Sequence, residues 1–178
     1  MKNNKGYVLQ DNIKKSCEKQ DILFYRFKDS PFSFANSDKT KFTTNNICDC
    51  MIFLRGRLLF LELKSVKGKS KSFTNHEFRQ LNDINKIIHN KNGLKRYGVF
   101  GGFLIEFREL EKSYYFSVDD IFKYFEENNT KTLNIEKYIK NYEYIEIEQK
   151  LLIKNYEYNI RKLMVELGGV RRYNEQFD

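Results

Sequence analysis

Two acids and a lysine interrupt an apolar stretch of this chain at positions where they could do chemistry. In "CDCMIFLRGRLLFLELKS", residues 48 to 65, Asp49, Glu62 and Lys64 sit among residues that otherwise read as two strands around an Arg-Gly turn. If that dipeptide is a two-residue turn, Leu54 pairs with Arg57, paired numbers sum to 111, and Asp49 falls opposite Glu62. Paired side chains in such a ladder stand about 4.5–5.5 Å apart at Cβ, where like charges repel. A hard divalent cation would offset the repulsion, since Mg²⁺ takes one or two carboxylates and completes its shell with water or phosphate oxygens. Alternation places Lys64 on the face of Glu62. An ammonium there could orient or deprotonate an attacking water, or stabilise charge on a phosphodiester being cut. The plainer reading is a one-sided sheet with exposed acids and a minor Glu62–Lys64 surface ion pair. The nearly continuous apolar run from Leu58 to Leu63 argues against it, because it marks a strand buried on both faces. A three-residue turn would shift the register and spoil the pairing.

The elements that must position these residues follow from local patterns. Leu9, Ile13 and Cys17 recur at helical spacing in residues 6 to 20, and "DILFYRFK" reads as a strand. The segment "DSPFSFANSDKTKFTTNN" holds the single proline and no clean period, so it reads as a long excursion between strands, a feature often tied to function. After the hairpin and the loop "VKGKSKS", Thr74 and Glu77 form a capping-box pair that should start a helix running to about His89. Its apolar positions Phe78, Leu81, Ile84 and Ile88 would face the sheet. "RYGVFGGFLIEF" and "KSYYFSV" read as two strands joined at "RELE", and Ser117 as the cap of a helix through "VDDIFKYFEEN". Beyond residue 130 the pattern weakens. "KNYEY" occurs at 140–144 and 154–158, which reads as chance or a local duplication, and "YNIRKLMVELGG" as a helix closed by glycine.

Composition bounds the answer. A chain of 178 residues, 40% hydrophobic and 16% aromatic, suits one folded domain. The formal charge of +8 favours a polyanionic partner, nucleic acid or an anionic membrane, although a Lys- and Asn-rich composition also reflects genome bias. No apolar run is long enough to span a bilayer, and the first residues lack a signal-peptide core, so the expected location is the cytoplasm of a bacterial or phage-infected cell. Cys17, Cys48 and Cys50 read as reduced thiols, with Cys48 and Cys50 two apart on one strand face. A zinc site lacks a second cysteine pair, and nothing places a base beside any thiol.

Asp49, twelve intervening positions, and then Glu62-Leu63-Lys64 resemble the PD-(D/E)xK nuclease signature. With "CDCMIFLRGRLLFLELKSVKGKSKSF" and Gln80 seven positions after Phe73, the stretch is similar to the RecU-type Holliday junction resolvases, particularly small phage and Gram-positive forms. The similarity extends more faintly over residues 6 to 125. It implies an α/β fold: a restriction-endonuclease-like core with a mixed central β-sheet flanked by helices and a projecting loop or stalk at 29–45; the extension at 130–178, with its C-terminal helical segment, lies outside the resemblance. It also implies a homodimer that resolves four-way DNA junctions by paired, Mg²⁺- or Mn²⁺-dependent hydrolysis in recombination and repair. Asp49 and Glu62 match the metal ligands, with the Leu63 carbonyl completing the set. Lys64 matches the catalytic lysine and Gln80 the helix glutamine near the site. Lys39 and Lys41 fall in the projecting segment that engages the junction. A departure lies in the first helix, where the family often carries a glutamate and this chain has Gln10 followed by Asp11.

Lys67, Lys69 and Lys71 alternate with small residues directly after Lys64 and would contact phosphates without reading bases. Alone they would read as a solvated loop, and their place beside Lys64 tips the reading to DNA contact. Two alternatives stand beside the junction resolvase: a restriction or repair nuclease acting on linear duplex, and a junction-binding protein of the same fold that has lost catalysis.

Overall fold

The computed structural model describes residues 5–27 and 46–169. Helix α1 (Lys5–Lys19) leads into strand β1 (Leu23–Arg26). The chain resumes with β2 (Cys50–Leu54) and β3 (Arg57–Val66), joined by Arg55 and Gly56. Both turn residues have positive φ, 48° and 77°, the left-handed pair that lets a two-residue hairpin follow strand twist. The resulting register pairs Leu54 with Arg57 and Cys50 with Leu61, as the sequence predicts. The projecting segment expected at 29–45, with Lys39 and Lys41, lies outside the described residues.

From β3 the chain passes through β4 (Ser70–Ser72) and α2 (Asn75–Ile88) to β5 (Val99–Phe107). A 3-10 turn over Arg108–Leu110 returns it into β6 (Lys112–Ser117), and Ser117 caps α3 (Val118–Asn128) by accepting the Asp120 N–H. Then follow β7 (Thr132–Asn134), α4 (Ile135–Asn141), β8 (Ile145–Ile147), β9 (Gln149–Leu151), β10 (Tyr156–Tyr158) and α5 (Ile160–Gly169). The central sheet has the order β1-β2-β3-β5-β6-β8. β3 and β5 are parallel, with α2 as the crossover, and the other neighbours are antiparallel. The fold is therefore α/β, a mixed central sheet flanked by helices. Leu9, Ile13 and Cys17 of α1 pack with Leu59, Leu61, Leu63 and the apolar side of α5 on one face. Leu81, Ile84 and Ile88 of α2 pack with Phe103, Ile105 and α3 on the other. No described helix is long and apolar enough to cross a membrane.

Residues after 130 include the expected C-terminal helix, α5, and add short strands that the sequence pattern did not mark. β8 adds an edge strand to the central sheet, β7 pairs with β4, and β9 with β10. Leu133, Ile135 and Tyr138 are buried in one core, and Tyr158, Ile160, Leu163 and Met164 in the other. These residues complete both faces of the sheet, and their three-residue strands are too short to leave a period-two pattern. The two "KNYEY" copies adopt different structures, one finishing α4 and the other entering β10. A second difference concerns the cysteines. Cys48 packs with the α2 side and Cys50 with the α1 side, because the chain bends at residues 47–49 and breaks the pleat that would have aligned them. Burial pushes the thiols of Cys17 and Cys48 up to about 12, and that of Cys50 up as well, so all three behave as small apolar residues.

One glycine determines how closely α2 approaches the sheet. A Cβ on Gly101 of β5 would stand 2.2 Å from Ile84 Cγ2 and 2.9 Å from Ile88 Cγ2. Both isoleucines are buried, so Gly101→Ala must push α2 off the sheet. The expected destabilisation is about 1–3 kcal/mol, checked by denaturant unfolding; a change within error would show that α2 does not depend on this contact.

Candidate active site

Glu62 is the centre of the site. It lies on β3 facing α2 and is only 1% exposed, so the reading of a solvated surface ion pair does not hold. Each of its oxygens has a partner. Lys64 Nζ, two residues on and therefore on the same face, lies 2.6 Å from Oε1. Gln80 Nε2 donates to Oε2 at 2.9 Å. The sequence places these partners: β-strand alternation brings Lys64 alongside, and α2 carries Gln80 over the strand one helical position before buried Leu81.

Asp49 reaches the group from outside the ladder. The β2–β3 pairing ends at Cys50 and Leu61, so Asp49 is not a strand partner of Glu62, as the extrapolated register would have it. It occupies the bend before β2, and its Oδ2 accepts the Leu63 backbone N–H at 2.8 Å. That N–H is a donor a continued β2 strand would have satisfied, so the carboxylate takes over a backbone bond as it comes up beside Glu62. The Asp49 carbonyl in turn accepts the Phe27 N–H at 3.0 Å, which ties the bend to the end of β1.

Two opposing influences set the protonation of the pair. Burial raises the pKa of Glu62 to about 7, the Asp49 charge adds to the rise, and Lys64 and Gln80 counter it. Burial pulls Lys64 down, but Glu62, Asp49 and Glu77 more than reverse this, and its pKa ends above the ordinary lysine value. Lys64 is therefore an ammonium at neutral pH, suited to stabilising negative charge and not to accepting a proton.

Glu77 is a member of the site that the sequence reading missed. It is the third residue of the capping box, taking the Thr74 N–H at 2.7 Å. Yet it is buried, and its Oε1 lies 3.5 Å from Lys64 Nζ and 2.7 Å from Lys71 Nζ. The capping role explained the residue so completely that nothing in the pattern pointed further. The two lysines and Thr74 together hold its carboxyl below the usual range despite burial. The chain Glu62–Lys64–Glu77–Lys71 thus alternates in charge from the strand to the helix terminus.

The remaining expected residues fall into groups. Lys71 is half-buried against Glu77 and so belongs to the site's scaffold. Lys69 is exposed and paired with Glu136 at 2.5 Å. Lys67 is exposed. Gln10 is buried along α1, whose apolar residues cover the sheet face opposite Glu62. Asp11 is exposed and paired with Lys15 at 2.7 Å. Among the described residues no group of three or more His, Cys, Asp or Glu gathers as a metal cluster. Gln80 Oε1 is buried with no hydrogen-bond partner among the described residues, although the amide's other end is fixed on Glu62.

No family model matches the chain. It is 34% identical over 123 residues to the SPbeta prophage-derived uncharacterized protein YotM of Bacillus subtilis (strain 168), an alignment taking in 68% of this chain. The chain covers 60% of that relative's length. Among solved structures, a Holliday junction resolvase, Hjc of Archaeoglobus fulgidus, superposes with a TM-score of 0.41 at 15% identity, covering 64% of this chain and 78% of that one. A bacterial homing endonuclease, I-Ssp6803I, superposes with a TM-score of 0.40 at 13% identity, covering 96% of each chain.

The raised Glu62 pKa has a consequence for the metal-free protein. Between about 4.5 and about 7 the folded chain keeps a proton on Glu62 that the unfolded chain has released. Stability therefore falls as pH rises through that window. Glu77 has the opposite sign, its contribution being lost as pH falls through its depressed pKa. In chelator, Glu62→Gln should gain on the wild type between pH 5 and 8 by an amount on the order of 3 kcal/mol. Parallel stability curves for the two proteins, from denaturant melts across that range, would rule out the burial argument.

Proposed function

We propose that the chain is a divalent-metal-dependent endodeoxyribonuclease that cuts four-way DNA junctions. The observation that carries the reading is the gathering of Asp49, Glu62 and protonated Lys64 where β3 runs toward the end of the sheet, with Gln80 and Glu77 fixing them from α2. A buried glutamate with a second carboxylate and a lysine beside it is expensive to maintain for structure alone, since burial and like charge both oppose its ionisation.

The donor set fits a hard cation. Asp49 and Glu62 would supply carboxylate oxygens, the Leu63 carbonyl another, and the orphaned Gln80 Oε1 a direct or water-mediated contact, all of which suit Mg²⁺ or Mn²⁺. Such a cation supplies Lewis-acid activation of the phosphodiester. The residues of the chain do the rest. Lys64, held charged by Glu62 and Glu77, stabilises the negative charge that grows on the phosphate oxygens as the bond breaks. Gln80 fixes the Glu62 carboxylate in the plane set by its hydrogen bond, and Lys71 pins Glu77 so that Lys64 keeps its place. Gln10, being neutral, would bring no charge to a second cation.

Junction DNA as substrate rests on the likeness of residues 48–73 to the RecU-type resolvases and on the positive charge of the chain. Paired nicks require two such sites, hence a homodimer. Exposed Lys67, and Lys69 once released from Glu136, would contact phosphates, and the setting would be the cytoplasm. A labelled four-way junction and a matched linear duplex should be incubated with the protein in Mg²⁺ and in chelator. Symmetric nicks on the junction, absent in chelator and reduced by about 10²-fold or more in Lys64→Ala, are the expected result. Equal cutting of the linear duplex would move the substrate to ordinary DNA. Cleavage that survives Glu62→Ala would sink the assignment of the site.

A further inference from the structure

The hairpin formed by β9 and β10 ends in an apolar tip that the fold holds out to solvent. Leu151, Leu152 and Ile153 are consecutive and are 63%, 45% and 99% exposed. Three adjacent aliphatic side chains on a loop tip are costly to leave in water, each forgoing burial. Their flanks, Lys150 and Lys154, are both exposed. Across the ladder from Lys150 stands Glu157, the hairpin's one acid, which Lys19 of α1 engages at 2.7 Å.

The tip is supported by a firm base. The Leu152 N–H donates to the Asn155 carbonyl at 2.7 Å, which closes the turn. At the other end Tyr158 donates its N–H to Ser16 Oγ at 3.0 Å and its carbonyl accepts Gln20 Nε2 at 2.6 Å. Buried Tyr158 packs in the α1-side core. An apolar tip on a stiff stem is a different object from a loose loop, because little entropy is lost when it inserts into something.

The base also locates the hairpin relative to the candidate site. Gln149 donates to the carbonyl of Glu111, in the turn that leaves the end of β5, at 2.8 Å. Tyr158 OH donates to Glu106 Oε1 at 3.4 Å, and the other oxygen of Glu106 takes the hydroxyl of Ser65, the residue after Lys64. The hairpin is therefore rooted at the end of the β3–β5 pair that carries Lys64, on the opposite sheet face.

From this placement we propose that Leu152 and Ile153 form a wedge that inserts between base pairs of the DNA bound at the Glu62 site, with Lys150 and Lys154 on the adjoining phosphates. Aliphatic side chains used in this way unstack a base step and bend the duplex, and flanking lysines offset the cost through phosphate contacts. The step most easily opened is one already weakened, which is the situation at a branch point. The inference rests on the reading of the chain as a DNA enzyme and goes beyond it by assigning a structural element to substrate distortion.

The test uses a four-way junction carrying 2-aminopurine at the branch point, mixed with full-length protein in chelator so that no cutting occurs. Wild type should raise the fluorescence several-fold as the base unstacks, and so should Lys64→Ala. The variant Leu152→Ser/Ile153→Ser, altered only at exposed positions, should keep its thermal midpoint, bind about tenfold more weakly and give no rise. A fluorescence rise in that variant as large as the wild type's would overturn the wedge, and so would a fall in its sedimentation mass, which would make the tip a contact between copies. If the fluorescence rises but no metal supports cleavage, the wedge stands and the nuclease reading fails. If cleavage is normal in the double variant and unstacking is unaffected, the reverse holds.

Discussion

A carboxylate buried inside a sheet beside a second carboxylate is the constraint around which this structure is organised. Glu62 is in almost complete burial, and its ionised form is penalised both by lost hydration and by Asp49. The fold meets that penalty with an ammonium and an amide on Glu62 and holds Asp49 on a backbone N–H, each delivered by a different device. Strand alternation brings Lys64, the α2 crossover brings Gln80, and the bend before β2 places Asp49 on the Leu63 N–H. The compensation is incomplete, since the proton affinity of Glu62 stays high. A group left in that state favours whatever positive charge can approach it.

The supporting elements can be traced back to this need. α2 must come close to the sheet for Gln80 to reach, and Gly101 permits the approach. Its first turn must hold a buried acid, and the capping box serves by tying Glu77 to Thr74 while Lys71 and Lys64 share its charge. Alternating charges along this path lower the cost of each buried member more than isolated pairs would, because each ion has more than one partner. At the same end of the sheet, the β9–β10 hairpin adds an apolar projection rooted through Glu106 to the residue after Lys64. The candidate site and this apolar projection thus share one end of the sheet.

Much of this was legible in the amino-acid sequence wherever a local rule had one solution. Arg-Gly between apolar runs admits a two-residue turn, which set the hairpin register, and strand alternation set the adjacency of Glu62 and Lys64. Thr74 and Glu77 marked the start of α2, and Ser117 that of α3. What could not be read depended on tertiary choices. The bend at 47–49 moved Asp49 out of the ladder and Cys48 to the other face, and no local pattern announces a bend that is paid for by one carboxylate. β8 and the β9–β10 pair are three-residue strands whose existence depends on an open sheet edge and on α1. The Lys71–Glu77 pair went unread because the capping box already gave Glu77 a sufficient explanation.

The central claim is that the Asp49–Glu62 pair holds a divalent cation. Its most direct test is titration of the metal-free protein with Mn²⁺ near neutral pH, following free ion by electron paramagnetic resonance. The account predicts bound manganese in the wild type, and its loss in Asp49→Asn and in Glu62→Gln while both variants remain folded. Wild-type protein that leaves the free-ion signal unchanged, or variants that bind as well as it does, would contradict the account.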